Sequence, residues 1–345
     1  MKIRQKIGAV ISLMVLGISL VGCGSKTGNH SKKVNISAAL VTDGGGVDDR
    51  SFNQNGWEGL EDWGQKNHLK KGIGGYNYAQ SNSDADFTSN INKLIQAKYQ
   101  TIIGIGYKLQ TAITNAAKNN PNTNFVLIDA VAPGKNVASV TFRDNEGAFL
   151  AGVAAAKTTK TKRVGFIGGI RSEVMDRVEA GYRQGVAAID KSIQVDVKYA
   201  ESFSKPDVGQ ALAQAMFNNQ VDVIFQGSGG TGNGVFSAAK NVIKHQKVWV
   251  IGSDRDQTAE GKYGNKSLTL TSCTKGVKKS VYNLATAAQK NKFPGGKITS
   301  YGLKEGGMDL IHGNLDGATW KVVQDYRNKI ITGDLKVAQK VSQIK

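Results

Sequence analysis

From residue 34 onward the chain repeats one unit, a short apolar run, a turn and then an amphipathic segment. Strands are expected at 34–41, 73–78, 101–105, 125–128, 137–142, 163–167, 195–199, 221–225, 248–251, 268–271 and 299–303. Helices are expected at 53–66, 84–97, 110–119, 146–158, 173–189, 206–218, 234–245 and 275–289, with a last one at 319–332. In 84–97, for instance, Phe87, Ile91, Leu94 and Ile95 recur at the spacing of one helical face. Unbroken β-branched strands alternating with such helices predict an α/β protein, its parallel sheets covered on both faces. The units are too many for one compact sheet, and a break near Pro133 and Asn136 divides them into two similar sets. Two Rossmann-like lobes facing each other are therefore expected. One would comprise 34–139 with about 256–293, and the other 140–255 with about 294–345. Residues 268–289 would form a late return to the first lobe.

The first 33 residues follow a different pattern. Lys2, Arg4 and Lys6 precede an apolar run at 7–20, and Leu20-Val21-Gly22-Cys23 closes it. This reads as a lipoprotein signal peptide over 1–22 with a lipobox. Cleavage before Cys23 and acylation of its thiol would anchor the mature chain to a membrane, on the extracytoplasmic face. The run is short for a transmembrane helix, which needs roughly 20 apolar residues. Residues 23–33 are polar and read as a flexible tether.

Removing the signal takes away three of 45 basic residues and none of 27 acids, leaving 42 against 27, a balance of +15. The lysines are scattered and no basic motif is interleaved with aromatics, so a basic exterior is expected rather than a nucleic-acid surface. With Cys23 acylated, Cys273 has no partner; no disulfide is expected and its thiol reads as buried and structural. His30, His68, His245 and His312 lack ligand spacing, and no metal or cofactor is expected. Nothing calls for an obligate oligomer, so a monomer is expected.

In open parallel sheets, ligands bind beyond the carboxyl ends of the strands. The residues there include Asp43 and the run to Phe52 and Asn53, Asp129, the stretch Gln226–Gly234 after Phe225, and Asp254-Arg255-Asp256. Carboxylates accept from hydroxyls and ring N–H groups and repel phosphate, while aromatic rings stack on bases, at about 1–3 kcal/mol per base. A nucleoside satisfies both better than a nucleotide does. Gly229–Gly234 lacks the Gly-Lys-Ser/Thr ending of a phosphate loop, and Gly227-Ser228-Gly229 lacks nucleophile-elbow spacing. Thr42–Asp49 partly matches the calcium run of nucleoside hydrolases, with Val41 and Gly44 replacing an aspartate and a proline. That hydrolase is one alternative; a surface adhesin that keeps the fold is another. A binding protein rather than an enzyme is the expectation.

The blocks 43–53 (DGGGVDDRSFN), 140–156 (VTFRDNEGAFLAGVAAA), 164–169, 229–240 (GGTGNGVFSAAK), 251–257 (IGSDRDQ), 271–275 and 301–310 (YGLKEGGMDL) occur in this order. In them the chain resembles the basic membrane protein (BMP) family of lipoproteins, which includes purine nucleoside receptors. The resemblance implies a type I periplasmic-binding-protein fold whose lobes are joined by three crossovers. It also implies a substrate-binding lipoprotein that delivers nucleosides to the permease of an ABC importer. By the same resemblance a base would stack between Phe52 and Phe225, with Asn53, Asp43 and Asp129 reading its polar edge. Asp254 would accept from the ribose hydroxyls, Lys275 would donate nearby, and Asp256 would be a second acceptor. Gly229 and Gly230 would allow close backbone approach. The chain departs from the family at Arg255 and Gln226, where small residues are common.

Overall fold

The computed structural model describes residues 36–344. The signal peptide, Cys23 and the tether expected from the sequence lie outside the described residues. The first half follows the expected alternation: β1 (Ala38–Val41), α1 (Phe52–Lys66), β2 (Tyr76–Ala79), α2 (Asp86–Gln96), β3 (Thr101–Ile105), α3 (Gln110–Asn119), β4 (Asn124–Ile128) and β5 (Val137–Phe142). After it come α4 (Asp144–Thr158), β6 (Arg163–Gly168), α5 (Glu173–Ile189), β7 (Gln194–Tyr199), α6 (Pro206–Asn218), β8 (Val223–Gly227), α7 (Gly232–Val242) and β9 (Trp249–Asp254). A small hairpin, β10 (Lys262–Tyr263) and β11 (Lys266–Ser267), leads into β12 (Thr269–Lys275) and α8 (Val277–Gln289). The chain ends with β13 (Ile298–Tyr301), β14 (Met308–Leu310) and α9 (Gly317–Thr332). Among the described residues, no helix is long and apolar enough to cross a membrane.

Two six-stranded sheets result, ordered β13-β5-β4-β3-β1-β2 and β14-β12-β9-β8-β6-β7. All pairings in the first are parallel; in the second only β14 runs antiparallel, against β12. The strand interiors show why the runs are unbroken. On β4, Phe125 and Leu127 join the cluster around Phe87 and Ile91, while Val126 and Ile128 face the large central cluster. Both faces of the strand are covered, so successive residues must all be apolar.

The lobe boundaries differ from those expected. Residues 269–275 stay in the second sheet, paired with β9, and only α8 returns to the first lobe against α1, β3 and β4. Conversely, β13 pairs with β5 and belongs to the first sheet. The chain thus crosses between lobes after β5, between β12 and α8, and between β13 and β14. A strand and the helix after it normally share a lobe, and here a single residue, Gly276, separates them. Gly276 donates to the Gly307 carbonyl at 2.8 Å, so the second and third crossovers touch, and a Cβ at Gly276 would press on the Gly307 backbone.

Within the second lobe, α4 is buried nearly all round and lies between α5, α9 and the sheet. Its small residues, Gly147 to Ala156, let it approach α5 so closely that a Cβ on Gly152 or Gly185 would strike the other helix's backbone. Ser172 caps α5 by accepting from the Met175 N–H at 3.3 Å. The start of α4 and the start of α5 are thereby set beside the gap between the lobes.

Candidate functional site

The ends of β1, β4, β8, β9 and β12 converge on a cavity between the two lobes that encloses about 740 Å³ of space, part of it open to solvent. Of the residues expected there, Asp43, Phe52, Asn53, Asp129, Phe225, Gly229, Asp254 and Lys275 line it. Two do not. Gly230 is buried one step behind, against the Phe203 carbonyl and Asp49. Asp256 is exposed in an outer groove, because its carboxylate closes a local turn by accepting from the Thr258 N–H at 2.9 Å and hydroxyl at 2.6 Å.

Asp129, the residue after β4, and Asp254, the last residue of β9, stand at the ends of corresponding strands of the two sheets, and both have left-handed backbones, φ 70° and 68°. Side chains other than glycine adopt that conformation at a cost of roughly 1–3 kcal/mol, and such residues gather at working sites. The twist turns both carboxylates into the cavity. Lys275, the last residue of β12, lies between Asp129 (2.6 Å) and Asp144 (2.8 Å), and its Nζ sits 5.2 Å from the Phe52 ring centre. Arg177 on α5 grips Asp144 in turn, at 3.0 Å. Burial alone would lower the Lys275 ammonium, but Asp129, Asp144 and Asp254 outweigh it and hold it above the ordinary lysine range.

The carboxylates shift the other way. Burial pushes Asp43 up to about 7, against the Asn53 amide that donates to it at 3.0 Å. Burial pushes Asp129 up to about 6 despite the neighbouring Lys275, and Asp254 rises for the same reason. One Asp129 oxygen, Oδ1, is buried with no protein partner, and so is the Tyr107 hydroxyl. An unpaired buried acceptor is costly unless a ligand supplies a donor.

Five carboxylates line the cavity (Asp43, Asp49, Asp129, Asp144 and Asp254), and Lys275 is the one cation among its described lining residues. That balance repels phosphate. Asp49, of the candidate calcium run, is occupied otherwise. It accepts from the N–H groups of Ser51, Asn53 and Gln54 at 2.8–3.0 Å and so caps α1, while Asp48 faces solvent.

The opposite wall is apolar: Ala148, Val174, Met175, Val178, Cys273 and Met308. Phe225 lines the cavity while packing on Phe166 and Tyr182, with ring centres 5.7 and 5.4 Å away. Sequence reasoning missed Phe203, a half-buried ring at the cavity edge, and Asp144. The signal for Phe203 is a lone aromatic just past β7 in a polar stretch, Glu201–Pro206. Arg255 points away from the cavity to Glu58 of α1, at 3.1 Å, and Gln226 is buried in an amide network behind the wall. The two departures therefore do not touch the cavity directly.

A family profile described as "ABC transporter substrate-binding protein PnrA-like" matches residues 36–341. The "ABC transporter nucleoside-binding protein BmpA" of Lactococcus lactis subsp. cremoris is 46% identical over 354 residues, covering 98% of this chain and all of its own. "Basic membrane protein B" of Borreliella afzelii is 31% identical over 339 residues, covering 95% of this chain and 94% of its own. Among solved structures, an ABC transporter solute-binding protein from Aeropyrum pernix K1 superposes with a TM-score of 0.79 at 24% identity, over 88% of this chain and 93% of its own, a likeness of fold. With a match spanning nearly all described residues, the chain belongs to the PnrA-like family of ABC transporter substrate-binding proteins.

Proposed function

We propose that the protein captures neutral, unphosphorylated nucleosides, purines by preference, and hands them intact to an ABC permease while tethered to the membrane through lipid on Cys23. The observation that carries this reading is the unpartnered Asp129 Oδ1 in a cavity with aromatic walls and excess negative charge. The ligand must bring donors and a flat ring, and it must not bring phosphate. The base would lie between Phe52 and the wall formed by Phe225 and Phe203, with Asp43, Asn53 and Asp129 on its polar edge. Asp254 would accept from the ribose, and Lys275, already neutralised by two carboxylates, would donate without attracting an anion. The relative named as nucleoside-binding supports the same ligand class. Closure of the lobes about the three crossovers would present a ligand-dependent surface to the permease.

A thermal-shift and calorimetry panel of nucleosides, nucleobases, nucleotides and pentoses tests this. Inosine, guanosine or adenosine at a hundred times Kd is expected to stabilise the protein by about 2.7 kcal/mol. Their phosphorylated forms are expected to give no shift. Nucleotides binding better than nucleosides, or free ribose appearing from inosine, would overturn the reading.

A further inference from the structure

Three consecutive residues of the β1–α1 loop are held by the second lobe. The Asp49 carbonyl accepts from the Asn233 amide at 3.1 Å, and the Arg50 carbonyl accepts from Gln257 Nε2 at 2.9 Å. The Ser51 hydroxyl donates to Asp254 at 2.5 Å. Arg50 has φ 59°, and within this left-handed turn the carbonyls on both sides of it are taken up by the other lobe.

The Gln257 amide has no freedom to turn. Its Oε1 accepts from the Ser253 N–H at 2.9 Å and from Gln226 Nε2 at 2.7 Å, so Nε2 must face Arg50. Gln226 is fixed in the same way, because its own Oε1 accepts from the Ser228 N–H at 3.2 Å. A chain of oriented amides thus runs from Ser228 through Gln226 and Gln257 to the first lobe. Gln226 and Gln257 are fully buried and neither lines the cavity. Residues that satisfied only local needs would not aim a rigid donor at the opposite lobe.

We infer that Gln257, oriented by Gln226, and Asn233 of α7 form a clasp that holds the β1–α1 loop when the lobes close. They are positioning residues that set affinity for every ligand alike. A protein whose competent form is a fraction of the population binds more weakly by that fraction, whatever the ligand. The inference rests on the closure reading above.

Measured at pH 8 so that its carboxyl is ionised, Gln257→Glu keeps an acceptor for Gln226 and Ser253 but has no donor for Arg50, while Asn233→Ala removes the second amide without burying a charge. In the full chain, each is expected to weaken inosine, guanosine and adenosine by the same factor, about fivefold, the net worth of one hydrogen bond. The loss should appear in the dissociation rate. Should Gln257→Glu fail to fold, Asn233→Ala carries the test. Unchanged affinities, or a changed ranking of the three nucleosides, would overturn the clasp. If the wild type binds no nucleoside, the ligand reading fails; whichever nucleobase or pentose of the panel then shifts the wild type takes the place of the nucleosides in the same comparison, and unchanged affinity for it overturns the clasp.

Discussion

Asp43 keeps its proton to about pH 7 because burial disfavours its charge, whereas an unfolded chain would release that proton near 3.8. Between those values the folded state binds more protons than the unfolded, so stability falls as pH rises through this window and levels off above it. Asp43→Asn should flatten that slope by up to about 1.4 kcal/mol per pH unit, read from urea denaturation at pH 5, 6 and 7. Identical slopes in both proteins would mean that Asp43 titrates as an ordinary aspartate. Two further substitutions probe the ligand. Phe203→Ala should weaken nucleoside binding by about 1–3 kcal/mol if its ring stacks on the base. Asp254→Asn should hurt ribosides more than free bases in calorimetry; equal losses would detach Asp254 from the ribose.

At the scale of elements, the pairing of α4 with α5 bears on the site because Asp144 opens one helix and Val174, Met175 and Arg177 lie in the first turns of the other. The pair is held close by glycines rather than by large interlocking side chains. Gly185→Ala would place a methyl against the Phe149 backbone and should destabilise the protein by about 1–3 kcal/mol in urea denaturation. Stability within a few tenths of wild type would show that the helices can part without cost. Much of this level could be read beforehand. The period of Phe87, Ile91 and Leu94 marks α2, and Pro206 marks the start of α6. Strand β14 could not be read, since its three residues have neither length nor alternation to distinguish them from a loop.

Across the whole molecule, charge is separated. The chain beyond residue 22 carries an excess of basic residues, yet five of the 27 acids surround one cavity. A basic exterior suits an anionic membrane surface, and an acidic cleft suits an uncharged ligand. The crossovers that follow β5 and β13 are tied by one network, in which Arg143 pairs with Glu146 and Glu305 and the Leu303 N–H donates to Glu146 at 2.8 Å. Labelled palmitate fed to cells should be incorporated into the wild-type protein and not into Cys23→Ser, read by immunoprecipitation. Equal labelling of both, or of neither, would mean that Cys23 carries no lipid.

Local order in sequence was enough for the α/β class, for most strands and helices, and for the idea that carboxylates and rings gather at strand ends. These features depend on periodicity and on neighbours a few residues apart. Which lobe β12 and β13 join, the turning of Asp256 out of the cavity, and the recruitment of Phe203 and Asp144 depend on partners far along the chain. Lys275 meets Asp129 across 146 positions, and Gln257 meets Arg50 across 207. No spacing rule reaches that far; only the packing of two sheets brings such residues within hydrogen-bond distance.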